Sequence, residues 1–232
     1  MNIAIIPARG GSKRIPRKNI KEFCGKPMIA WSIKAAQDSG CFEHIIVSTD
    51  DEEIAEIADF YGAEVPFMRP PELADDHTAT RPVVNHAIRE VEKLYGMPEY
   101  VCCLYSTAPF VRSTDLVASY EKVTNPGVEY VFSSCAFEYP IQRAFRIYAS
   151  GFPEWFSPQY CHTRSQDLEP AYHDAAQFYW GTAHAFIENR ESVSPNGRAY
   201  VLPSYLVQDI DTGDDWIRAE LMFQTLNKLD RS

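Results

Sequence analysis

A chain of 232 residues with 45% hydrophobic content and a net charge of −10 can bury a core and fits one domain, 1–232, rather than several. The acidic balance, with no extended basic stripe beyond the first segment, argues against nucleic acid as a partner, and no apolar run approaches the roughly 20 residues of a membrane span. The six cysteines include no C-x-x-C pair, which predicts small core side chains rather than disulfides or zinc ligands, and the first apolar stretch is too short for a signal-peptide core, so the expected compartment is the cytoplasm.

Residues 2–7, with Ile3, Ala4, Ile5 and Ile6 in succession, predict a strand buried on both faces of a parallel sheet. Directly after it, Ala8-Arg9-Gly10-Gly11-Ser12-Lys13-Arg14-Ile15-Pro16-Arg17-Lys18-Asn19 sets five cations around a Gly-Gly turn. Residues 1–26 hold seven Lys or Arg and one Glu, a surplus of six positive charges in a chain whose remainder is strongly negative. In open α/β sheets ligands bind at the carboxyl ends of strands, and glycines let backbone N–H groups face phosphate oxygens without side-chain obstruction. Arg9, Lys13 and Lys18 can add charge-assisted hydrogen bonds, so the segment reads as a triphosphate cradle. It matches neither G-x-x-x-x-G-K-[ST] nor G-x-G-x-x-G, which speaks against a Walker-type NTPase and a dinucleotide-binding dehydrogenase.

Pro27 opens a predicted helix containing Ile29, Trp31, Ile33 and Ala36 that ends near Gly40. Residues 44–49 read as a strand. Asp50 or Asp51 caps the next helix, in which Ile54, Ile57, Ala58 and Tyr61 recur at helical spacing up to Gly62. A helix over about 80–94, a buried strand at 100–104, a helix starting at Ser113 or Thr114 and a strand at 129–134 follow. This alternation predicts an α/β fold with a Rossmann-like, doubly wound, mostly parallel sheet. Residues 137–180 break the pattern and are rich in Tyr, Gln, Arg, His and Asp, a mix suited to hydroxyl, amide and carboxylate recognition. There Arg143, Arg146 and Arg164 are candidates for a carboxylate, and Gln142, Gln166, His173, Asp174 and Gln177 for other polar groups.

Near the C-terminus, Asp209-Ile210-Asp211 precedes a helix containing Trp216, Ala219, Phe223 and Leu226. On an extended segment residues i and i+2 face the same side, and two carboxylates there suit Mg²⁺, which prefers hard oxygen ligands. The alternative is helix capping, with Asp211 or Thr212 as N-cap and Asp215 completing a Thr-x-x-Asp box with Thr212.

The cradle, together with Tyr139-Pro140-Ile141-Gln142-Arg143-Ala144, Arg164-Ser165-Gln166-Asp167-Leu168-Glu169-Pro170-Ala171-Tyr172-His173-Asp174 and Val207-Gln208-Asp209-Ile210-Asp211-Thr212, resembles the sugar-acid cytidylyltransferases, the family that makes CMP-sialic acid and its relatives. The resemblance runs over nearly the whole chain, and the branch acting on pseudaminic acid is most similar. It implies CTP as co-substrate, a nine-carbon sugar acid as acceptor, and Mg²⁺ held by Asp209 and Asp211. It also implies a nucleotide site built from Ala8, Arg9, Gly10, Gly11, Ser12, Lys13, Lys18 and Asn19, with Arg69, Thr78 and Thr80 near cytosine and ribose. The sugar would be met by Tyr105, Ser106, Gln142, Arg143, Arg146, Arg164, His173, Asp174, Gln177 and Tyr179. The inserted region at about 137–180 would serve sugar binding and a homodimer contact that helps form the partner's site.

Two stretches depart from the CMP-sialic acid synthetases: Tyr105-Ser106-Thr107-Ala108-Pro109 stands where those enzymes show Gln-Pro-Thr-Ser-Pro, and Ala175-Ala176-Gln177-Phe178-Tyr179 replaces Asn-Gly-Ala-Ile-Tyr. Both lie where that family reads its sugar, which shifts the expected acceptor from sialic acid to a relative with other substituents. The expected chemistry is in-line attack of the anomeric hydroxyl on the α-phosphorus, with Arg9, Lys18 and Asp211 as catalytic groups and pyrophosphate as leaving group. Activation of sialic or legionaminic acid, a D-x-D glycosyltransferase and a catalytically silent nucleotide-binding module are the alternatives. The cradle at the first strand argues against the glycosyltransferase.

Overall fold

The apolar run at the N-terminus becomes β1 (Asn2–Pro7), in which Ile3, Ala4, Ile5 and Ile6 are wholly buried. The computed structural model describes residues 1–75 and 77–229. After the cradle comes a two-residue hairpin, β2 (Glu22–Phe23) and β3 (Lys26–Pro27), then α1 (Met28–Ser39), which starts after Pro27 and stops at Gly40 in the left-handed conformation. Next are β4 (His44–Ser48) and α2 (Glu52–Phe60). Of the two aspartates available to cap α2, Asp51 does so, its carboxylate accepting from Ile54 N at 3.0 Å.

The chain continues through α3 (Thr80–Tyr95), β5 (Tyr100–Leu104), α4 (Ser113–Val123) and β6 (Tyr130–Ala136). A separate hairpin follows, β7 (Phe145–Ile147) and β8 (Pro153–Trp155), and then β9 (Tyr172–Thr182), α5 (Ala183–Ile187), β10 (Gly197–Leu202) and α6 (Gly213–Leu229). No helix among the described residues is long and apolar enough to cross a membrane.

Six strands form one sheet in the order β10-β6-β9-β5-β1-β4. The β10–β6, β5–β1 and β1–β4 pairs are parallel, while β9 runs antiparallel to both neighbours. Side chains alternate across β1 as a pleated strand requires: Ala4 and Ile6 join Ile29, Ile33, Ile54 and Leu116 on one face, while Ile3 and Ile5 join Val84, Ile88, Val91 and Phe186 on the other. Helices therefore cover both faces of a mostly parallel sheet, the α/β architecture read from the alternation. The region 137–180 divides in two. Residues 172–180 enter the middle of the sheet as part of β9, and the rest lies outside it, around the β7–β8 hairpin.

A bulge interrupts β9, since Phe132 pairs with Tyr179 but Ser134 pairs with Asp174. The extra residues are held by the buried Ser133 hydroxyl, which accepts from Gln177 N at 3.2 Å and Phe178 N at 3.1 Å. Ala176 in this bulge has a φ of 51°. An L-residue with a Cβ is disfavoured there by about 1–2 kcal/mol. Ala176→Gly is expected to raise the thermal midpoint through a gain of up to about 1 kcal/mol; a lower midpoint would show that the methyl contributes more by packing than it costs in backbone strain.

Candidate active site

The basic loop leaves β1 at the carboxyl edge of the sheet and is pinned at both ends. Ala8 N donates to Ser48 O at 2.9 Å, tying the loop to the end of β4. Asn19, buried beside it, donates through Nδ2 to Arg9 O at 2.8 Å. The one apolar side chain inside the basic run also has a task. Ile15 is buried in a cluster with Phe23, Trp216, Phe223 and Ile210, and Ile210 is the middle residue of the Asp-Ile-Asp segment. Two segments almost two hundred positions apart in sequence are thus fastened to one apolar cluster behind the site.

In front of that cluster the charges meet. Lys18 Nζ donates to Ile210 O at 2.6 Å and lies 3.4 Å from Asp211 Oδ1, and Arg14 Nη2 pairs with the same carboxylate oxygen at 2.9 Å. Arg17 pairs with Asp51 and Glu53, and its hydrogen bond to Asp51 holds that carboxyl below its ordinary range. Gly10 N donates to Asp50 Oδ1 at 3.0 Å, so a loop amide faces a carboxylate. A Cβ at Gly10 would lie 2.5 Å from Asp51 Oδ2, whereas one at Gly11 meets no protein atom within 4 Å.

A cavity of about 530 Å³ opens here. Its wall contains Arg9, Ser12, Lys13, Lys18, Asn19, Arg69, Thr78, Thr80, Tyr105, Ser106 and Asp211, all of them expected from the sequence, with Ala8, Gly10 and Gly11 in the same loop. Arg69 is 5% exposed and grips the end of β4, its Nε donating to Ser48 Oγ at 3.1 Å and its Nη2 to Ser48 O. Burial pushes its pKa down to about 10, which leaves it cationic at neutral pH. Burial raises the pKa of the Tyr105 hydroxyl. Thr78 closes a turn on Asp75 Oδ1 through its N–H at 2.6 Å and its hydroxyl at 2.7 Å, while Arg9 Nη1 donates to Asp75 O at 2.9 Å.

The capping and metal readings of the C-terminal acids involve different residues. Thr212 and Asp215 form the capping box of α6: Asp215 N donates to Thr212 Oγ1 at 3.2 Å and Thr212 N to Asp215 Oδ2 at 2.8 Å. That leaves the carboxylates of Asp209 and Asp211 outside the cap. Burial first, then the neighbouring Asp211 charge, raises the Asp209 pKa, and Asp174 is raised by its own burial with a contribution from Asp209. Carboxylates gathered in this way suit a divalent cation with a preference for oxygen. Among the described residues no group of three or more His, Cys, Asp or Glu forms a protein-only cage. Two carboxylates are hard oxygen donors of the kind Mg²⁺ accepts, and that ion usually keeps water and substrate phosphates in its remaining positions.

The residues expected to meet a sugar separate into two sets. Near the acids, His173 Nδ1 donates to Asp174 O at 2.8 Å, the Tyr179 hydroxyl bonds the Asp174 carboxylate, and the buried Gln177 Nε2 donates to Leu206 O at 2.5 Å, just before the Asp-Ile-Asp segment. Away from the cavity, Gln142 Nε2 donates to Glu169 O at 2.9 Å, Arg143 Nη1 lies 3.4 Å from Ser165 Oγ, Arg146 pairs with Glu154, and Arg164 pairs with Asp167. Gln166 lines a second cavity of about 370 Å³ with Glu138, Pro140 and Leu168. Sequence reasoning missed Arg14 as the partner of Asp211, and Leu73, Asp75 and Val83 in the cavity wall. Arg14 had a signal, since it lies in the same basic run; the other three bear no pattern of their own.

A family model described as Cytidylyltransferase matches residues 3–145, and the chain is 45% identical over 223 residues to the pseudaminic acid cytidylyltransferase of Campylobacter jejuni subsp. jejuni serotype O:23/36 (strain 81-176), with 96% of each chain covered. The chain belongs to the cytidylyltransferase family. This cytidylyltransferase is also 35% identical to the CMP-N,N'-diacetyllegionaminic acid synthase of Legionella pneumophila subsp. pneumophila (strain Philadelphia 1), again with 96% of each chain covered. The solved structure of a CMP:2-keto-3-deoxy-manno-octonic acid synthetase complexed with CTP shares its fold, with a TM-score of 0.70 over 97% of this chain and 98% of that one at 16% identity.

Proposed function

We propose that this cytidylyltransferase transfers CMP from CTP to the anomeric hydroxyl of pseudaminic acid, giving CMP-pseudaminic acid and pyrophosphate. The observation that carries the reading is the joining of a basic glycine loop and the Asp-Ile-Asp segment, whose Asp211 lines the cavity, through the shared Ile15–Ile210 cluster. The 45% identity to a relative named for this activity, across nearly the whole of both chains, supports the choice of sugar.

The hydroxyl oxygen bonds to the α-phosphorus as the bond from that phosphorus to the bridging oxygen breaks, pyrophosphate departs with the electron pair, and the hydroxyl proton passes to solvent. Arg9 and Lys18 offset charge on the departing phosphates. Asp209 and Asp211 would hold Mg²⁺, which when bound lowers the pKa of the attacking hydroxyl and offsets phosphoryl charge. Arg69, Thr78 and Thr80 line the same cavity and would meet base and ribose.

The outlying β7–β8 region supports a homodimer. Phe145, Ile147, Phe152 and Phe156 are each at least half exposed there, and Arg143, Arg146 and Arg164 stand on the same region, so a second copy would cover the apolar side chains and could bring these cations toward its own cavity. The enzyme would act in the cytoplasm, where CTP is made.

The test is pyrophosphate release from CTP and Mg²⁺ with pseudaminic, N-acetylneuraminic or legionaminic acid, or Kdo, in parallel with nucleotide-only controls. Release with pseudaminic acid alone is expected. Release with another acid instead would keep the cradle and change the sugar, while silence with all four would move the reading to a nucleotide-binding module.

A further inference from the structure

We infer that Ser106 is a positioning residue for the nucleotide loop rather than a contact for the sugar. The inference rests on the reading of the cradle as the CTP site. Ser106 follows the end of β5, where the backbone is fixed on both sides: Tyr105 N donates to Gln177 O at 2.9 Å, and the Ser32 hydroxyl donates to Tyr105 O at 2.7 Å. Its own hydroxyl is buried, 2.9 Å from Pro7 O and 2.9 Å from Asn19 Oδ1.

Asn19 makes the orientation of that hydroxyl consequential. Its Nδ2 donates to Arg9 O, a carbonyl that can only accept, so its Oδ1 must face Ser106 and needs a donor there. Ser106 supplies one. Its single proton serves Asn19 Oδ1 or Pro7 O, and both acceptors lie on the chain that enters or braces the cradle. Asn19 is itself seated by its backbone, Ile29 N donating to Asn19 O at 2.8 Å. A line of hydrogen bonds thus runs from the rigid end of β5, through Asn19, to the Arg9 carbonyl. Beyond Arg9 come two glycines, which restrain the backbone least of all residues, so the direction of the loop depends on the pins before them. Removing the Ser106 hydroxyl leaves Asn19 Oδ1 buried without its donor and frees the amide to rotate away from Arg9.

Ser106→Ala is expected to raise the KM and the calorimetric Kd for CTP about tenfold, the scale of one buried polar group left without its partner. The KM for the sugar acid should stay within about twofold, because the mechanism acts only through the loop. Asn19→Ala should raise the CTP KM similarly, and the double variant should be no worse than the poorer single one, since both break one line of bonds. Ser106→Cys, of nearly the same size but a weak donor, should fall between wild type and Ser106→Ala, and it carries the test if Ser106→Ala fails to fold. A raised sugar KM with an unchanged CTP KM, additive effects in the double variant, or an unchanged CTP KM in Ser106→Cys would each overturn the inference. Failure of the wild-type protein to bind CTP would instead remove the cradle reading beneath it.

Discussion

Lys18→Ala and Asp211→Ala should each lower kcat by about 100-fold or more, the scale on which one preorganised electrostatic group contributes to a transition state. Lys18 reaches the site with its ammonium 2.6 Å from Ile210 O and 3.4 Å from Asp211 Oδ1, so it stands between the phosphate loop and the acid pair. Neither change should unfold the protein. Ile210 keeps its place in the apolar cluster, and the capping box of α6 belongs to Thr212 and Asp215. The Arg14–Asp211 pair is too exposed to contribute much stability. Pyrophosphate release alongside thermal melting separates the two effects, and near-normal turnover in either variant would remove that residue from the mechanism.

Gly10→Ala should weaken CTP binding by about 100-fold, the cost of a misplacement of roughly 1 Å in a positioning element. The new methyl would meet Asp51 at three atoms, 2.5, 3.0 and 3.1 Å away. Asp51 cannot retreat cheaply, because it caps α2 and pairs with Arg17, so the loop must give way instead. The control is Gly11→Ala, whose methyl meets no protein atom and leaves the unliganded loop where it is. Calorimetric titration with CTP reads both. Equal affinity of Gly10→Ala and wild type would mean that Asp51 moves and the loop does not.

Much of this site was legible in the sequence because charge and periodicity speak locally. Five cations around Gly10-Gly11 after four buried apolar residues could be read without knowing anything distant, and so could α1 between Pro27 and Gly40. The location of β9 could not. Its Tyr172, His173, Asp174 and Gln177 gave it the look of a polar binding region, yet residues 172–174 pair with β6 and, past the bulge held by Ser133, residues 179–181 pair with both β5 and β6. Nor could the sequence show that Ile15 and Ile210 share one cluster, since each is a single apolar residue among charges. Whether Asp211 or Thr212 caps α6 was likewise open in one dimension, and was decided once Thr212 was seen exchanging hydrogen bonds with Asp215.

The reversed strand also governs how the chain can be assembled. Residues 1–104 supply β4, β1 and β5, three neighbours in the sheet, but β5 then has an open flank until residues 172–182 have been made. A ribosome-bound or truncated chain ending before Tyr172 presents that flank, and the near side of β6, as unpaired backbone, the kind of edge on which other chains add. The sheet closes only by long-range pairing, which is slow because the loop entropy is spent before the contacts form. The stretch matched by the family model, 3–145, therefore lacks the strand that joins its two halves and cannot complete this sheet by itself.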